Sequence, residues 1–511
     1  MESTSMRLAR IAAVTSLLIL AQAAYGSCTL RFTSPANGAT VNTPSITVFG
    51  QGGADASQGD AGTVTATLNG AAFFNYSGSF TAAVTFLQSR GAPVTLRPGL
   101  NFLSVTGSVG GCSANDSMTV MYSPDITLNK NKGNPGDNLT CDAPGKAQGN
   151  PINIAIGNKY QEESDYTGMG IYPIRFSRSY NSVDGYWRHN YSARLRISAN
   201  TLTLVKRDGN ESRFTVSGST ITSELSELGK ISQDGTNWIY LSPAQERFKF
   251  DNLGRLISTT SPQGQTHALS YSSSTVTVVD DFGHTLTLTQ DDRGQPLTMN
   301  TAGTSVTYNY DNVSRLISLT KVQSSATQNR TFHYENTSYP RFLTGITDES
   351  GVRYATWAYD SQGRAISSEH AGAVEKITLT YNSDGSTTIT NELGKKTTYR
   401  FQNIQGVRHV VAIEGQPSAN CPSSNSAFTY DTRGLLKSKT DNKGYVTTYD
   451  YNTRGLESSR TEASGTPQAR TITTTWHSDF FAPIAVVEPH QTTNYTYDPQ
   501  GRQISQTVTP H

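Results

Sequence analysis

The sequence has little charge and no excess of either sign. Lysine and arginine number 41, aspartate and glutamate number 40, and charged residues make up only 16% of the chain, which leaves a formal net charge of +1. A nucleic-acid-binding surface needs basic residues that neutralise phosphates, and this balance offers no such surplus. We therefore expect no nucleic-acid partner, and no acidic disordered tail.

Long apolar runs are also missing, apart from Ile11–Ala24 near the start. This run is shorter than the roughly 18 residues that a membrane-spanning helix needs. Arg7 and Arg10 precede it and small residues follow it, which is the pattern of a secretion signal. We predict a signal peptide at residues 1–26 rather than a buried core helix. The mature protein is then secreted, periplasmic or on the cell surface, without a membrane span.

Cysteine is scarce. The chain has four cysteines, and an even number in an exported chain favours disulfides, for which three pairings are possible. Zinc binding is the weaker interpretation, since no two cysteines lie at C-x₂₋₄-C spacing. A lipoprotein signal at the first cysteine is disfavoured, because Tyr25 stands where leucine is usual. Cys28 lies on an early predicted strand and Cys112 just before a late one, so we predict that they pair. The pair Cys141–Cys421 follows only by elimination. The four residues are Cys28, Cys112, Cys141 and Cys421.

The chain lacks the short motifs of common enzymes. It has no H-E-x-x-H, Walker A, EF-hand or G-x-S-x-G phrase, and its nine histidines are scattered. Gly168-Met169-Gly170 lacks the third glycine of a dinucleotide-binding loop. Asp498-Pro499-Gln500-Gly501 is better interpreted as a turn than as a cleavage site. We expect no catalytic, cofactor-binding or metal-binding residue, no cofactor, and no enzymatic activity.

What the chain does contain is the composition of an all-β protein, with tyrosine (25) more frequent than phenylalanine (18). Residues 27–122 form a first unit in which apolar and polar residues alternate, and Asn69-Gly70 is a strong hairpin signal. The size and strand number predict a β-sandwich. The predicted strands include 44–50, 63–76, 78–86, 101–110 and 117–123. Residues 123–148, rich in Pro, Gly, Asn and Lys, are predicted to be a linker.

The first unit also resembles bacterial immunoglobulin-like modules. The similar phrases are "SPANGATVNTPSITVFG" at residues 34–50 and "LRPGLNFLSVTG" at residues 96–107. The resemblance implies an immunoglobulin-like β-sandwich.

A short phrase, aromatic-Asp-x-x-Gly, recurs through the second half of the chain. Two aromatic residues two apart share one face of a strand, and Asp, Asn and Gly suit a tight turn, so each copy predicts a β-hairpin. The spacing is about 20–25 residues or twice that, which favours a repetitive antiparallel sheet over a β-propeller. An Arg beside the turn either pairs with the Asp of a neighbouring turn or faces water, and we expect a mixture. The aromatic residues are Phe250, Tyr310, Tyr359, Tyr430 and Tyr497, with weaker copies at Gln290, Tyr381 and Tyr451.

The chain resembles RHS-repeat proteins over roughly residues 149–511. A second phrase with turns at residues 280–283, 348–351, 391–394 and 441–444 completes the pattern D-x-x-G-x-x-T-x-Y-x-Y-D-x-x-G-R-L, the YD repeat of that family. Before it, Gly149-Asn150-Pro151-Ile152-Asn153, Glu163-Ser164-Asp165 and Arg178-Ser179-Tyr180-Asn181-Ser182 are similar to the opening segment of RHS proteins. The resemblance implies an opening segment at residues 149–245 and a YD-repeat sheet at residues 246–511, as part of a β-shell.

The resemblance further implies a non-enzymatic scaffold of the class that carries toxins in bacterial competition. With few repeats, and a last recognisable phrase that begins at Tyr497, we expect a partial shell that lacks its toxin tip. Its partner is then a C-terminal toxin or a second shell segment. The alternative is a surface module that binds carbohydrate or protein.

Overall fold

The computed structural model describes residues 27–37, 39–41, 43, 45–55, 59–96, 99–122, 126–136, 145–416 and 425–511. Contacts divide the chain between Met121 and Tyr122 into two units. The predicted signal peptide and the cysteines Cys141 and Cys421 lie outside the described residues. No described helix has the length and hydrophobicity that a membrane crossing requires.

The N-terminal unit contains two antiparallel sheets and one helix. Strands β1, β3 and β6 form one sheet, and β2, β8, β7, β4 and β5 form the other in that order. A disulfide joins Cys28 to Cys112, the predicted pairing. The elements are β1 Cys28–Ser34, β2 Ala39–Val41, β3 Ser45–Ala54, β4 Ala61–Leu68, β5 Ala71–Ser79, α1 Phe80–Ser89, β6 Ala92–Thr95, β7 Gly99–Val109 and β8 Cys112–Tyr122.

The hairpin predicted at Asn69-Gly70 is confirmed. Strands β4 and β5 pair up to Leu68 and Ala71, so the loop has two residues. Asn69 and Gly70 have φ of +51° and +87°. Both angles lie in the left-handed region that a type I′ turn requires.

The strand predicted at residues 78–86 is wrong, because residues Phe80–Ser89 form helix α1. The Ser79 hydroxyl accepts the Ala82 N–H over 3.0 Å, and the Asp60 carboxylate accepts the Thr81 N–H over 2.8 Å. These bonds cap the exposed donors of the first turn. The buried side chains have helical rather than alternating spacing: Phe80, Ala83, Val84 and Leu87.

The C-terminal unit begins with two small sheets. One has the order β13-β12-β11-β10-β9 and the other has the order β14-β15-β16-β17. Their strands are β9 Ala147–Gln148, β10 Ile152–Asn153, β11 Asn158–Thr167, β12 Arg175–Asn181, β13 Tyr186–His189, β14 Arg194–Ser198, β15 Thr201–Val205, β16 Glu211–Ser217 and β17 Thr220–Ser223.

A 26-stranded antiparallel sheet follows, in which β18 to β43 lie side by side in chain order within the described residues. The all-β expectation is confirmed. The propeller alternative is wrong, because a propeller divides into separate blades. The strands are β18 Lys230–Asp234, β19 Asn237–Leu241, β20 Arg247–Phe250, β21 Leu256–Thr260, β22 Thr266–Ser272, β23 Thr275–Asp280, β24 Thr285–Gln290, β25 Pro296–Thr301, β26 Thr304–Tyr310, β27 Leu316–Gln323, β28 Ala326–His333, β29 Gly345–Thr347, β30 Arg353–Tyr359, β31 Ala365–His370, β32 Ile377–Tyr381, β33 Thr387–Thr390, β34 Lys396–Ile404, β35 Val407–Gly415, β36 Ser426–Tyr430, β37 Leu436–Thr440, β38 Val446–Tyr451, β39 Glu457–Glu462, β40 Arg470–Trp476, β41 Pro483–Glu488, β42 Gln491–Tyr497 and β43 Gln503–Pro510.

The two repeated phrases turn at opposite edges of this sheet. Each strand is antiparallel to the next, so successive turns alternate between the two edges. The aromatic-Asp-x-x-Gly turns follow even-numbered strands and share one edge, which we name the aromatic edge. The turns of the second phrase follow odd-numbered strands and share the other edge.

The aspartate organises the turn in the aromatic-Asp-x-x-Gly copies. Asp251 Oδ1 accepts the N–H groups of Leu253 and Arg255 over 3.0 and 2.8 Å. Arg255 Nε donates to Asp251 Oδ2 over 2.7 Å. The expectation that arginine pairs with a neighbouring turn's aspartate is therefore wrong, because the partner belongs to the same turn. The same pairing joins Arg315 to Asp311, Arg364 to Asp360, Arg433 to Asp431 and Arg502 to Asp498.

The tyrosine before the turn connects one hairpin to the previous one. Tyr381 donates its hydroxyl to the Ala365 carbonyl over 2.6 Å, and Arg364 lies 4.1 Å from the centre of the Tyr381 ring. Because phenylalanine has no hydroxyl, this bond explains why tyrosine is preferred at this position. Equivalent hydroxyl bonds run from Tyr359 to Leu343, from Tyr430 to Val410 and from Tyr497 to Pro483.

Part of the segment predicted to be a linker packs into the C-terminal unit. Leu128–Lys130 forms a 3-10 turn. Lys130 pairs with Glu224 over 2.6 Å, and Asn131 donates to the Gly406 carbonyl over 2.8 Å. Polar residues are common in linkers, but here their side chains satisfy buried backbone groups.

Two glycines at the same place in the repeat provide a stability test. Gly254 and Gly294 have φ of +79° and +81°. A Cβ on Gly294 meets open space, whereas a Cβ on Gly254 lies 1.8 Å from the Leu195 carbonyl oxygen. Gly294→Ala should cost roughly 1–2 kcal/mol from backbone strain alone. Gly254→Ala should cost roughly 3 kcal/mol or more, because the backbone of the opening segment must also move. Thermal unfolding measures both variants, and equal losses would contradict this close packing.

Candidate functional site

Four polar side chains form a row on one face of strand β11. Lys159, Gln161 and Glu163 are each two residues apart, so they point to the same side of the strand. Asp165 lies at a register shift, and its carboxylate is on this side because it binds Arg178, the residue opposite Glu163. Lys159, Glu163 and Asp165 are buried, and Gln161 is half-buried. We name these residues the β11 polar row. The row faces strands of the large sheet, which supply most of its partners.

One end of the row is a buried ion pair. Arg178 on β12 binds Asp165 through two hydrogen bonds of 2.5 and 3.0 Å, and the Tyr308 hydroxyl donates to Asp165 over 2.7 Å. The Arg178 guanidinium lies 4.7 Å from the Trp187 ring centre and 5.1 Å from that of Tyr308. Burial disfavours the Arg178 charge, but the charge and hydrogen bonds of Asp165 outweigh burial and raise the Arg178 pKa.

The middle of the row is centred on the Glu163 carboxylate. It forms an ion pair with Arg330 of β28 and accepts the Tyr354 hydroxyl over 3.2 Å. Gln161 Nε2 donates to Glu163 Oε1 over 2.6 Å. Arg330 also pairs with Glu349 over 2.9 Å. The opening segment is thus joined to strands β28 and β30 of the large sheet through charge-assisted bonds.

Lys159 forms the other end of the row and is completely buried. Its amine donates to the carbonyl oxygens of Asn150 and Tyr160, and to Gln161 Oε1 over 2.7 Å. The amine lies 4.1 Å from the Trp357 ring centre. Burial holds the pKa of Lys159 well below its usual value, against the opposing charge of Glu163.

The opening segment also contacts the aromatic edge through its backbone. Leu195 N–H donates to the Gly254 carbonyl, and Ala365 N–H donates to the Gly157 carbonyl, each over 2.9 Å. Arg408 donates to the Ala155 carbonyl over 2.7 Å. The β11 polar row is therefore part of a larger interface between opening segment and sheet.

Within the described residues, no three or more His, Cys, Asp or Glu side chains gather closely enough to hold a metal ion. The carboxylates of the row are neutralised by Arg178 and Arg330, and the Lys159 amine donates hydrogen bonds to three oxygens. Removing one partner from such a buried pair typically costs about 3–5 kcal/mol. The arrangement positions the opening segment on the sheet.

Part of this site is predictable from the sequence. Glu163, Asp165 and Arg178 stand in the phrases that resemble the RHS opening segment, but those phrases predict no partners for them. Tyr308 and Arg330 were not predicted, because they lie far from the row along the chain. Residues 159–165, Lys-Tyr-Gln-Glu-Glu-Ser-Asp, are polar on both faces of the strand. The sequence therefore carries no alternation that marks which face of β11 is buried.

Two family models match the chain. The RHS Repeat model matches residues 430–467, and the model of a domain of unknown function, DUF6531, matches residues 149–214. The second match covers strands β10 to β15 and the β11 polar row. The chain contains an RHS repeat. No curated protein matches it.

Solved structures similar to this RHS-repeat protein include toxin components. The crystal structure of TcdB2-TccC3 without its hypervariable C-terminal region is 10% identical, with a TM-score of 0.37, over 80% of this chain and 26% of that chain. The Photorhabdus luminescens Tc holotoxin pore is 13% identical, with a TM-score of 0.27, over 71% of this chain and 21% of that chain. The RHS-repeat protein thus spans about a quarter of the toxin chains' length.

Two tyrosines in one strand of the RHS-repeat protein test the ion pair. Tyr308 donates to Asp165, whereas the buried Tyr310 hydroxyl has no hydrogen-bond partner among the described residues. Tyr308→Phe should destabilise the protein by roughly 2 kcal/mol, since the lost bond reaches a charged group. Tyr310→Phe should be neutral or stabilising, because it removes an unsatisfied polar atom. Urea unfolding compares them, and the reverse order would show that Asp165 does not depend on Tyr308.

A buried histidine makes the stability of the RHS-repeat protein depend on pH. His189 stacks on Phe176 with ring centres 5.3 Å apart, and its ring nitrogens contact Gln290 Oε1 and the Tyr191 N–H over 3.1 and 3.3 Å. Burial lowers the His189 pKa from 6.5 to about 4, against the opposing hydrogen bond to Gln290. Below pH 6.5 the unfolded chain therefore binds a proton that the folded chain does not accept.

The free energy of unfolding should fall as the pH falls from 6.5 towards 4, and His189 should account for up to about 3 kcal/mol of this loss. His189→Gln should reduce the slope of unfolding free energy against pH, and the exposed His490→Gln is the control. His409 retains part of the slope, because burial also lowers its pKa to about 4. An unchanged slope in His189→Gln would mean that His189 is protonated in the folded state.

Proposed function

We propose that this RHS-repeat protein is a secreted or cell-surface scaffold without enzymatic activity, and part of a toxin-delivery system used in competition between bacteria. The observation that carries the proposal is the use of the repeated residues. The turn aspartates and arginines bind each other, and four motif tyrosine hydroxyls bind backbone carbonyls of earlier hairpins. The repeats therefore use their polar groups to build the sheet, which is the role of a scaffold.

Secretion is supported by the disulfide between Cys28 and Cys112. Disulfides persist in oxidising compartments and are rare in the bacterial cytoplasm. The amino-acid pattern of residues 1–26 supports the same location, since it is that of a signal peptide. The partner proposed from the family resemblance is a toxin or a second shell segment.

A second candidate function is binding of carbohydrate or protein at the cell surface, and a cavity favours it. The cavity has a volume of about 390 Å³ and is lined by Leu228, Pro243, Trp476 and Phe481, among others. Its volume lies within the range of about 300–1,000 Å³ that is typical of ligand sites. The rings of Trp476 and Phe481 are 5.3 Å apart and provide an aromatic wall.

Expression in a test bacterium separates a scaffold from an active toxin. The chain is produced with residues 1–26 for export and without them for retention, and fractionation checks its location. Neither form should slow growth, because a scaffold has no target in the cell. The Arg178→Ala variant is the control for slow growth caused by misfolded protein, because loss of the buried ion pair should destabilise the fold. Growth arrest by the wild-type chain, absent from that variant, would contradict the proposal and indicate an active site.

The same purified protein on a glycan array addresses the second candidate function. A scaffold should show no selective signal. Selective binding to one saccharide that Trp476→Ala abolishes would favour the binding module instead.

A further inference from the structure

The amine of Lys159 is in an environment where a nucleophile is protected from water. The side chain is completely buried, and the Trp357 ring covers the amine at 4.1 Å from its centre. Burial disfavours the ammonium form and lowers the Lys159 pKa. A neutral amine has a free lone pair, and a desolvated one attacks a carbonyl carbon more readily than a hydrated one.

The carboxamide of Gln161 lies between this amine and a carboxylate. Lys159 Nζ is 2.7 Å from Gln161 Oε1, and Gln161 Nε2 is 2.6 Å from Glu163 Oε1. The alternation of a β-strand holds all three groups on one face. Nucleophile, electrophile and proton carrier are therefore consecutive members of the β11 polar row.

We propose that Lys159 and Gln161 of this protein join in an intramolecular isopeptide bond, with Glu163 moving the proton. The other two acceptors of the Lys159 amine are the carbonyl oxygens of Asn150 and Tyr160. Those carbonyls belong to the main chain, so attack there would break the chain. The side-chain amide of Gln161 is the acceptor whose reaction keeps the backbone intact.

The reaction balances without an oxidant or a cofactor. The Lys159 ammonium first transfers a proton to the Glu163 carboxylate, through the carboxamide that contacts both groups. The neutral Nζ then attacks Gln161 Cδ, and the new C–N bond forms as the bond from Cδ to Nε2 breaks. Glu163 returns its proton to the departing nitrogen, which also receives a second proton from Nζ. One ammonium ion leaves, and Nζ becomes a neutral amide N–H.

Two features of the site favour product over reactants. The bond replaces a buried positive charge by a neutral amide, which removes the cost of keeping an ammonium away from water. Ammonium is then hydrated outside the protein. Gln161 is half-buried rather than buried, so its departing nitrogen has a route to solvent. Arg330 remains paired with Glu163 before and after the reaction.

Peptide mapping of the purified full chain tests this bond. Trypsin does not cut after a modified lysine, so we expect one fragment of residues 147–175 that retains the Lys159–Tyr160 bond. Its mass should be lower than its sequence mass by one ammonia molecule. Fragmentation should yield no products from cleavage between residues 159 and 161, because the cross-link holds the pieces together.

Three variants assign the residues. Lys159→Met and Glu163→Gln should both abolish the ammonia loss, the first by removing the amine and the second by removing the proton carrier. Lys146→Met is the matched control and should retain the loss, since burial also lowers the Lys146 pKa, to about 8. Circular dichroism checks that each variant folds. If Glu163→Gln does not fold, Gln161→Ala replaces it and should also abolish the ammonia loss, because it removes the carboxamide.

A wild-type fragment of full mass with normal cleavage after Lys159 would overturn the proposal. An ammonia loss that maps to Asn150 instead, or that persists in Lys159→Met, would overturn it as well.

Discussion

The turn aspartate is the group on which the large sheet depends. One carboxylate oxygen accepts two backbone N–H groups that the reversing chain would otherwise leave unpaired, and the other oxygen binds an arginine side chain. Asp311 keeps this arrangement although Ser314 replaces the glycine, with φ of +62°. A register shift lies beside the turn in each of these hairpins, for example between Asn309 and Tyr310. The constant turn gives these hairpins a common geometry, and they pair side by side in one sheet.

The opening segment packs against the aromatic edge that these turns form. Its backbone lies so close to the aromatic edge that a side chain on Gly254 would overlap the Leu195 carbonyl. The same interface buries the charges of Arg178 and Asp165. These charges are tolerated because each has a partner in fixed geometry and because the aromatic rings of Trp187 and Tyr308 attract the guanidinium. The buried pairs therefore specify one position of the segment on the sheet.

Much of the fold could be predicted from the sequence, and the failures have physical causes. The aromatic-Asp-x-x-Gly hairpins and the Asn69-Gly70 turn were predictable, since each depends on residues within a few positions of one another. Helix α1 was missed because Thr and Val suggest a strand, whereas the cap at Ser79 and the help of Asp60 favour the helix. The arginine was expected either to pair with a neighbouring turn or to face water, and its partner within the same turn was missed because the sequence spacing does not distinguish these three environments. Residues 126–136 were predicted to be a linker because the acceptors for their polar groups lie far away in the chain.

For the candidate site, the sequence by itself determined that Lys159, Gln161, Glu163 and Asp165 are two positions apart, the spacing of one face of a strand. The sequence also determined the edge of the sheet at which each phrase turns, because strands that pair in chain order place successive turns at alternate edges. Only the tertiary structure decided what faces the row. Tyr308, Arg330 and Trp357 belong to strands more than a hundred residues away. Local hydrogen bonds form the hairpins, but the partners of the row lie more than a hundred positions away in the chain, and no local pattern specifies contacts over such distances.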